Sequence, residues 1–134
     1  MKINFKTFGL LISAFLLITA ESFAASPGAM PKTGVYKSKC GELTVLQVTK
    51  KESKFLFKLE TTDCSMNSGS IEKATALQIC SDECSWVFQY DEFPDCRFWL
   101  NVKGDSIELS GNEDAASCGF GNRVLGNGKY KRAK

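Results

Sequence analysis

Six cysteines and a cluster of carboxylates carry the chemistry this sequence can offer. Between Gln78 and Cys96 the chain reads QICSDECSWVFQYDEFPDC, which places Asp82, Glu83, Asp91, Glu92 and Asp95 among three cysteines and contains no Lys or Arg until Arg97. Carboxylates in this density suggest three kinds of chemistry. A pair can act as general acid and base, as in glycoside hydrolysis. Six or more oxygens over a short stretch can hold calcium. An acidic loop with an apolar tip can dock on a basic protein.

The whole chain contains no His. That excludes Ser-His-Asp and Cys-His nucleophiles and His-ligated metals. A carboxylate pair remains, but a cleft deep enough to use it is hard to build in a small domain, and acidic residues in turns ordinarily cap backbone groups and face water. The D-x-[DN]-x-[DN]-G spacing of a calcium loop is absent, and Asn112-Glu113-Asp114 is too short to replace it. Hence no catalytic residue, no metal and no cofactor is expected.

Docking is the reading kept. In Asp91-Glu92-Phe93-Pro94-Asp95 an apolar Phe-Pro tip sits inside an acidic rim. The competing reading folds Phe93 back onto the body of the protein and leaves the carboxylates in water. The segment Arg123 to Lys134 has five basic residues and no acid, so the molecule is dipolar. Contact of this basic end with anionic envelope groups is a weaker alternative to a solvated last strand.

The N-terminus bounds the compartment. Lys2 and Lys6 precede an apolar run from Gly9 to Ala20, and Ser22-Phe23-Ala24 offers small residues where a signal peptidase reads. The run of about 12 residues is short of the roughly 20 that span a bilayer. Residues 1–24 are therefore expected to be a signal peptide cleaved after Ala24, residues 25–33 a flexible lead, and residues 34–134 a single β domain. The expected site is the periplasm, with no transmembrane segment once the signal is removed. Net charge is +2 and falls by one unit on cleavage, too little for a nucleic-acid or general membrane binder.

In an oxidising compartment the even set Cys40, Cys64, Cys80, Cys84, Cys96 and Cys118 reads as three disulfides. No pair has C-x-x-C spacing, which removes the thioredoxin and zinc-ribbon signatures. Spacing alone leaves connectivity open. A hairpin register centred on Glu52 puts Leu43 opposite Thr61, Val45 opposite Leu59 and Cys40 opposite Cys64. Cys80 and Cys84 flank a three-residue turn, which leaves Cys96 for Cys118.

The elements that carry these residues alternate like strands. Glu42 to Lys50 and Lys54 to Thr62 form a hairpin about Lys51-Glu52-Ser53, with Phe55, Phe57 and Leu59 on one face. Asp63 to Ser70 reads as a loop, and Ile71 to Ile79 as a strand in preference to a short helix. Further strands are expected at Gly34 to Lys39, Cys84 to Tyr90, Cys96 to Val102, Ser106 to Ser110 and Gly128 to Arg132. About eight short strands predict an all-β fold, a small antiparallel barrel or sandwich stabilised by disulfides. GVYK near the start and GKYK near the end predict first and last strands side by side, closing the sheet. The aromatics are assigned to the core and barrel face, with Trp86 the one singled out as a candidate for exposure.

An ending of the form C-G-x-G…G-x-Y-K-R (Cys118, Gly119, Gly121, Gly128, Tyr130, Lys131, Arg132), with Gly34 and Tyr36 at the start, resembles small secreted Gram-negative proteins of the lysozyme-inhibitor kind. The resemblance is architectural over the mature chain and specific over only about fifteen residues. It implies a small β-barrel that blocks a peptidoglycan-cleaving enzyme by inserting a loop. The loop motif of the chicken-type lysozyme inhibitors resembles Ser-Gly-x-Gly-x-x-Tyr. Ser68-Gly69-Ser70 matches its opening, but the later Gly and Tyr are missing. Immunity proteins against cell-wall hydrolases share the same size and export logic. The expected role is a monomeric, non-enzymatic inhibitor of a basic cell-wall hydrolase, with partner contacts at 91–95 and 68–70. A small-ligand-binding barrel and a structural envelope protein are the alternatives.

Overall fold

A computed structural model describes residues 29–80 and 84–134, with Gln89 described by its backbone alone. Residues 1–24, expected to be a signal peptide, and the acidic pair Asp82 and Glu83 lie outside the described residues. The chain forms a closed antiparallel barrel in which each strand pairs with its sequence neighbour. Its strands are β1 (Gly34–Lys37), β2 (Gly41–Thr49), β3 (Lys54–Thr62), β4 (Ser68–Cys80), β5 (Cys84–Gln89), β6 (Trp99–Lys103), β7 (Ser106–Ser110) and β8 (Gly128–Arg132). The expected closure is present: Tyr36 pairs with Arg132 and Lys37 with Lys131. Closure leaves no long free edge.

Alternation explains the core. Along β3, Phe55, Phe57, Leu59 and Thr61 face in, and Leu43 and Val45 meet them from β2. The interior is filled by aromatic rings. Trp86 meets Phe55 at 4.9 Å, Phe57 meets Phe88 at 5.1 Å, and Phe88 stacks on Phe98 at 5.1 Å. Side chains of this size fill an eight-stranded barrel. Trp86 is fully buried, and its indole N–H has no hydrogen-bond partner among the described residues. The exposed tryptophan is Trp99, which points outward from β6 and lies over Gly111. The expectation for Trp86 is corrected by strand parity: its neighbour Val87, not Trp86, pairs with the outward Trp99.

The hairpin register also departs from expectation. Leu43 faces Leu59 and Val45 faces Phe57, two residues from the register centred on Glu52. Two local features cause this. Lys50–Glu52 forms a 3-10 turn ended by Ser53 at φ 47, and a bulge between Val45 and Gln47 displaces one residue, leaving Leu46 exposed. Cys40 and Cys64 are nevertheless bridged, because Cys64 lies beyond β3 in a left-handed turn, at φ 62, that folds the chain back. Cys80 pairs with Cys84, which closes the β4–β5 hairpin, and Cys96 with Cys118. All six cysteines are thus oxidised.

One end of the barrel is covered by the connection between β7 and β8. Within it a 3-10 turn, Ala115–Cys118, is capped by Asp114, which accepts from the Ala116 N–H at 3.0 Å, and ends at Gly119, φ 67. Buried Asn112 ties the two ends of this connection. It donates to the Leu125 carbonyl at 2.8 Å, and its own carbonyl accepts from Asn127 Nδ2 at 2.7 Å.

Candidate functional site: an acidic groove

On the outer face of β2, β3 and β4 the pairing sets Glu42 beside Glu60 and Glu60 beside Ser70. This row forms the floor of an open groove of about 970 Å³. Glu72 from β4 and Glu92 from the β5–β6 connection add two further carboxylates, and among the described residues Lys39 is the one cation lining it. Glu42 and Glu60 are loosely paired with Lys37 and Lys58 at 3.8 and 3.7 Å. Exposed pairs this long contribute little, so the groove stays net negative.

Both stretches singled out in the sequence reach this groove, in different ways. Ser68, Gly69 and Ser70 line it, but they are the first residues of β4 and not part of a loop: Ser68 pairs with Thr62 and Gly69 with Thr61. Only Glu92 and Phe93 of the 91–95 connection line it, while Asp91, Pro94 and Asp95 are exposed beside it. Phe93 is not the outward tip. It is half-buried, packs on the core and lies 5.8 Å from the Tyr90 ring. The alternative weighed for Phe93, folding back onto the barrel rim, is the one observed. Gly119 provides the reason: a Cβ there would overlap the Phe93 ring, so the missing side chain is the slot.

Two local bonds shape the connection. The Phe93 N–H donates to the Tyr90 carbonyl at 3.1 Å, and the Cys96 N–H to the Phe93 carbonyl at 2.9 Å. The Tyr90 hydroxyl donates to Glu92 Oε2 at 2.6 Å. That bond, then partial burial, then the negative charges of Glu92 and Glu72, push the Tyr90 phenol up to about 12. The phenol therefore stays protonated and fixes one Glu92 oxygen, leaving the other to the groove.

The segment Cys118-Gly119-Phe120-Gly121 joins the two walls. Cys118 is bridged to Cys96, and Gly119 seats Phe93. Phe120 lies directly on Gly69, where a Cβ would overlap its ring, and the Gly121 N–H donates to the Ser68 carbonyl at 2.9 Å. The C-G-x-G string therefore has a structural job beside the groove. Comparison of the chain with protein-family models, with curated proteins and with solved structures returns no match.

Sequence reading missed Glu42, Glu60, Glu72 and Tyr90 as groove residues. Each of the three glutamates sits at an outward strand position that looks like ordinary solvated alternation. The usable signal was strand pairing, which sums their charges on one face. Among the described residues no three carboxylates or cysteines converge closely enough to hold a metal ion. What the arrangement can do is attract and hold cationic groups over an extended, preformed surface.

Proposed function

We propose that this protein binds a basic secreted cell-wall hydrolase through the acidic groove and inhibits it, acting as a monomer in the periplasm after cleavage behind Ala24. One observation carries the reading: four glutamates from three strands and a loop converge on one open groove that both sequence-derived stretches enter. Three disulfides, and no helix among the described residues long and apolar enough to cross a membrane, are consistent with a secreted or extracytoplasmic protein. Hydrolases that work on a polyanionic wall tend to be basic, so complementary charge favours the encounter. The resemblance to lysozyme inhibitors supports the same reading, although the groove and not a protruding Ser-Gly loop is the contact surface. An enzymatic role gains no support, because the described glutamates of the groove are outward and solvated. The interior offers a small ligand little room among its stacked aromatics.

The test is binding and inhibition across a panel of peptidoglycan hydrolases of differing charge, at low and physiological salt. Basic members should bind, with association slowed by salt. Replacing Glu60, Glu72 and Glu92 together by Gln should slow association by about tenfold or more. Phe93→Ala should weaken affinity by about 2 kcal/mol, because it removes the support of the groove wall. If no basic hydrolase binds, or if the triple variant binds as the parent does, the reading fails.

A further inference from the structure

A second cleft, of about 390 Å³, lies across the wall made by Cys40, Thr61 and Thr62, and its charge is opposite. Lys39, Arg123 and Lys129 line it. Among the described residues, none of these three cations is within ion-pair distance of a carboxylate. Glu108 stands opposite Lys129 in register across β7 and β8, but the two do not close an ion pair.

Among the described residues Asp63 is the one acid in the lining, and its oxygens are already occupied. Oδ1 accepts from the Ser65 N–H at 2.9 Å, the Ser65 hydroxyl at 2.7 Å and the Asn67 N–H at 3.2 Å, while Oδ2 accepts from Asn67 Nδ2 at 2.7 Å. Those bonds hold its carboxyl down at about 2, so it remains an anion turned to its own loop. The lining thus carries three positive charges against one negative.

Arg123 has a further peculiarity. Its φ of 65 lies in the left-handed region, and every other such position in the β7–β8 connection is a glycine: Gly111, Gly119 and Gly126. A side chain with a Cβ costs about 1 kcal/mol there, and such strain is retained where the surroundings or a function hold it. The observation is that an arginine, whose planar fork suits oxyanions, occupies this position on the cleft wall.

We infer that this cleft binds a phosphate monoester, with Arg123, Lys39 and Lys129 around the oxyanion. A net lining charge of +2 matches the charge of about −1.5 to −2 that such a phosphate carries near neutral pH. The volume exceeds what a bare phosphate needs and leaves room for a small organic group. The cleft shares Lys39 and the Cys40–Thr61–Thr62 wall with the acidic groove, but Arg123 and Lys129 line only the cleft, so variants at those two positions test it apart from the groove.

The experiment is amide chemical-shift titration of the purified protein with glycerol 3-phosphate, with inorganic phosphate, and co-sedimentation with phosphatidylcholine vesicles with and without phosphatidic acid. Saturable shifts at residues 39, 123 and 129 are expected with glycerol 3-phosphate. Tighter binding than inorganic phosphate identifies a soluble ester as the ligand, sedimentation only with phosphatidic acid identifies a lipid headgroup, and equal binding of the ester and inorganic phosphate overturns the monoester in favour of free phosphate. Arg123→Gln should weaken binding by about tenfold, as loss of a charge-assisted pair does. Arg123→Gly should weaken it equally while relieving the backbone, so loss of binding cannot be ascribed to misfolding. The inference is overturned if no probe gives saturable shifts, if chloride at equal ionic strength reproduces them, or if both Arg123 variants bind like the parent.

Discussion

One wall of the acidic groove is a strand end and the other is a connection. Ser68, Gly69 and Ser70 are fixed by pairing with β3, by the Gly121 N–H on the Ser68 carbonyl, and by Phe120 pressed onto Gly69. Residues 90–95 have one isolated bridge, Tyr90 to Phe93, and a half-buried ring over Gly119. Both walls use the same device, an aromatic ring over a glycine, but at different depth. Phe120 is buried and enclosed, with Phe98 at 6.3 Å and Gly126 beside it, whereas Phe93 has solvent on one side. The same missing Cβ should therefore matter for stability at one wall and for shape at the other.

Gly69→Ala should have the largest effect. The new methyl enters the space of a ring that has nowhere to move, and overpacking of that kind costs about 1–3 kcal/mol. For a domain near 100 residues, the upper half of that range lowers the melting temperature by roughly ten degrees. Calorimetry of the variant against Ser70→Ala, an exposed neighbour expected to change little, reads the contrast. A loss below about 0.5 kcal/mol, the range of ordinary surface changes, would mean that Phe120 does not hold this wall.

Gly119→Ala should cost less stability and more binding. The left-handed backbone at φ 67 contributes about 1 kcal/mol, and the displaced Phe93 ring can swing toward solvent. A double-mutant cycle with Phe93→Ala sharpens the point. Once the ring is gone, the overlap is gone, so the double variant should be more stable than the sum of the single losses predicts. Strict additivity would show that the ring does not rest on Gly119.

The difference between the walls also marks how far the sequence can be read. Period-2 alternation is local, so β3, β7 and β8 are legible to the residue, as is the closure through GVYK and GKYK. The register of the first hairpin is not, because a bulge at Val45 and a left-handed Ser53 shift it without any turn signal such as Asn-Gly. The acidic row is invisible for a related reason. Glu42, Glu60 and Glu72 are far apart in sequence and meet only through pairing. The seat of Phe93 on Gly119 had one available clue. The Cys96–Cys118 bridge lies three residues after the ring and one before the glycine, so accepting that bridge brings the two together. Nothing comparable joins Phe120 to Gly69.

Tyr90 gives the smallest and most local test of the looser wall. Its hydroxyl fixes Glu92, and Tyr90→Phe should remove that bond at a cost of about 0.5–1.5 kcal/mol or less, given its partial exposure. The pH dependence gives the sharper readout. The phenol is raised above its ordinary value of 10.0 to about 12 in the folded protein. Its contribution is therefore fully present below pH 10, and it is lost as pH rises through about 12, because the unfolded chain gives up the proton first. Tyr130, raised by burial, adds to the same alkaline loss. The difference between parent and Tyr90→Phe isolates Tyr90, and it should shrink across that window. Ultraviolet titration of phenolate should show one late-ionising tyrosine fewer in the variant. If the difference in stability is flat from pH 9 to pH 12, Tyr90 does not hold Glu92 in solution. The loop wall would then rest on Phe93 alone.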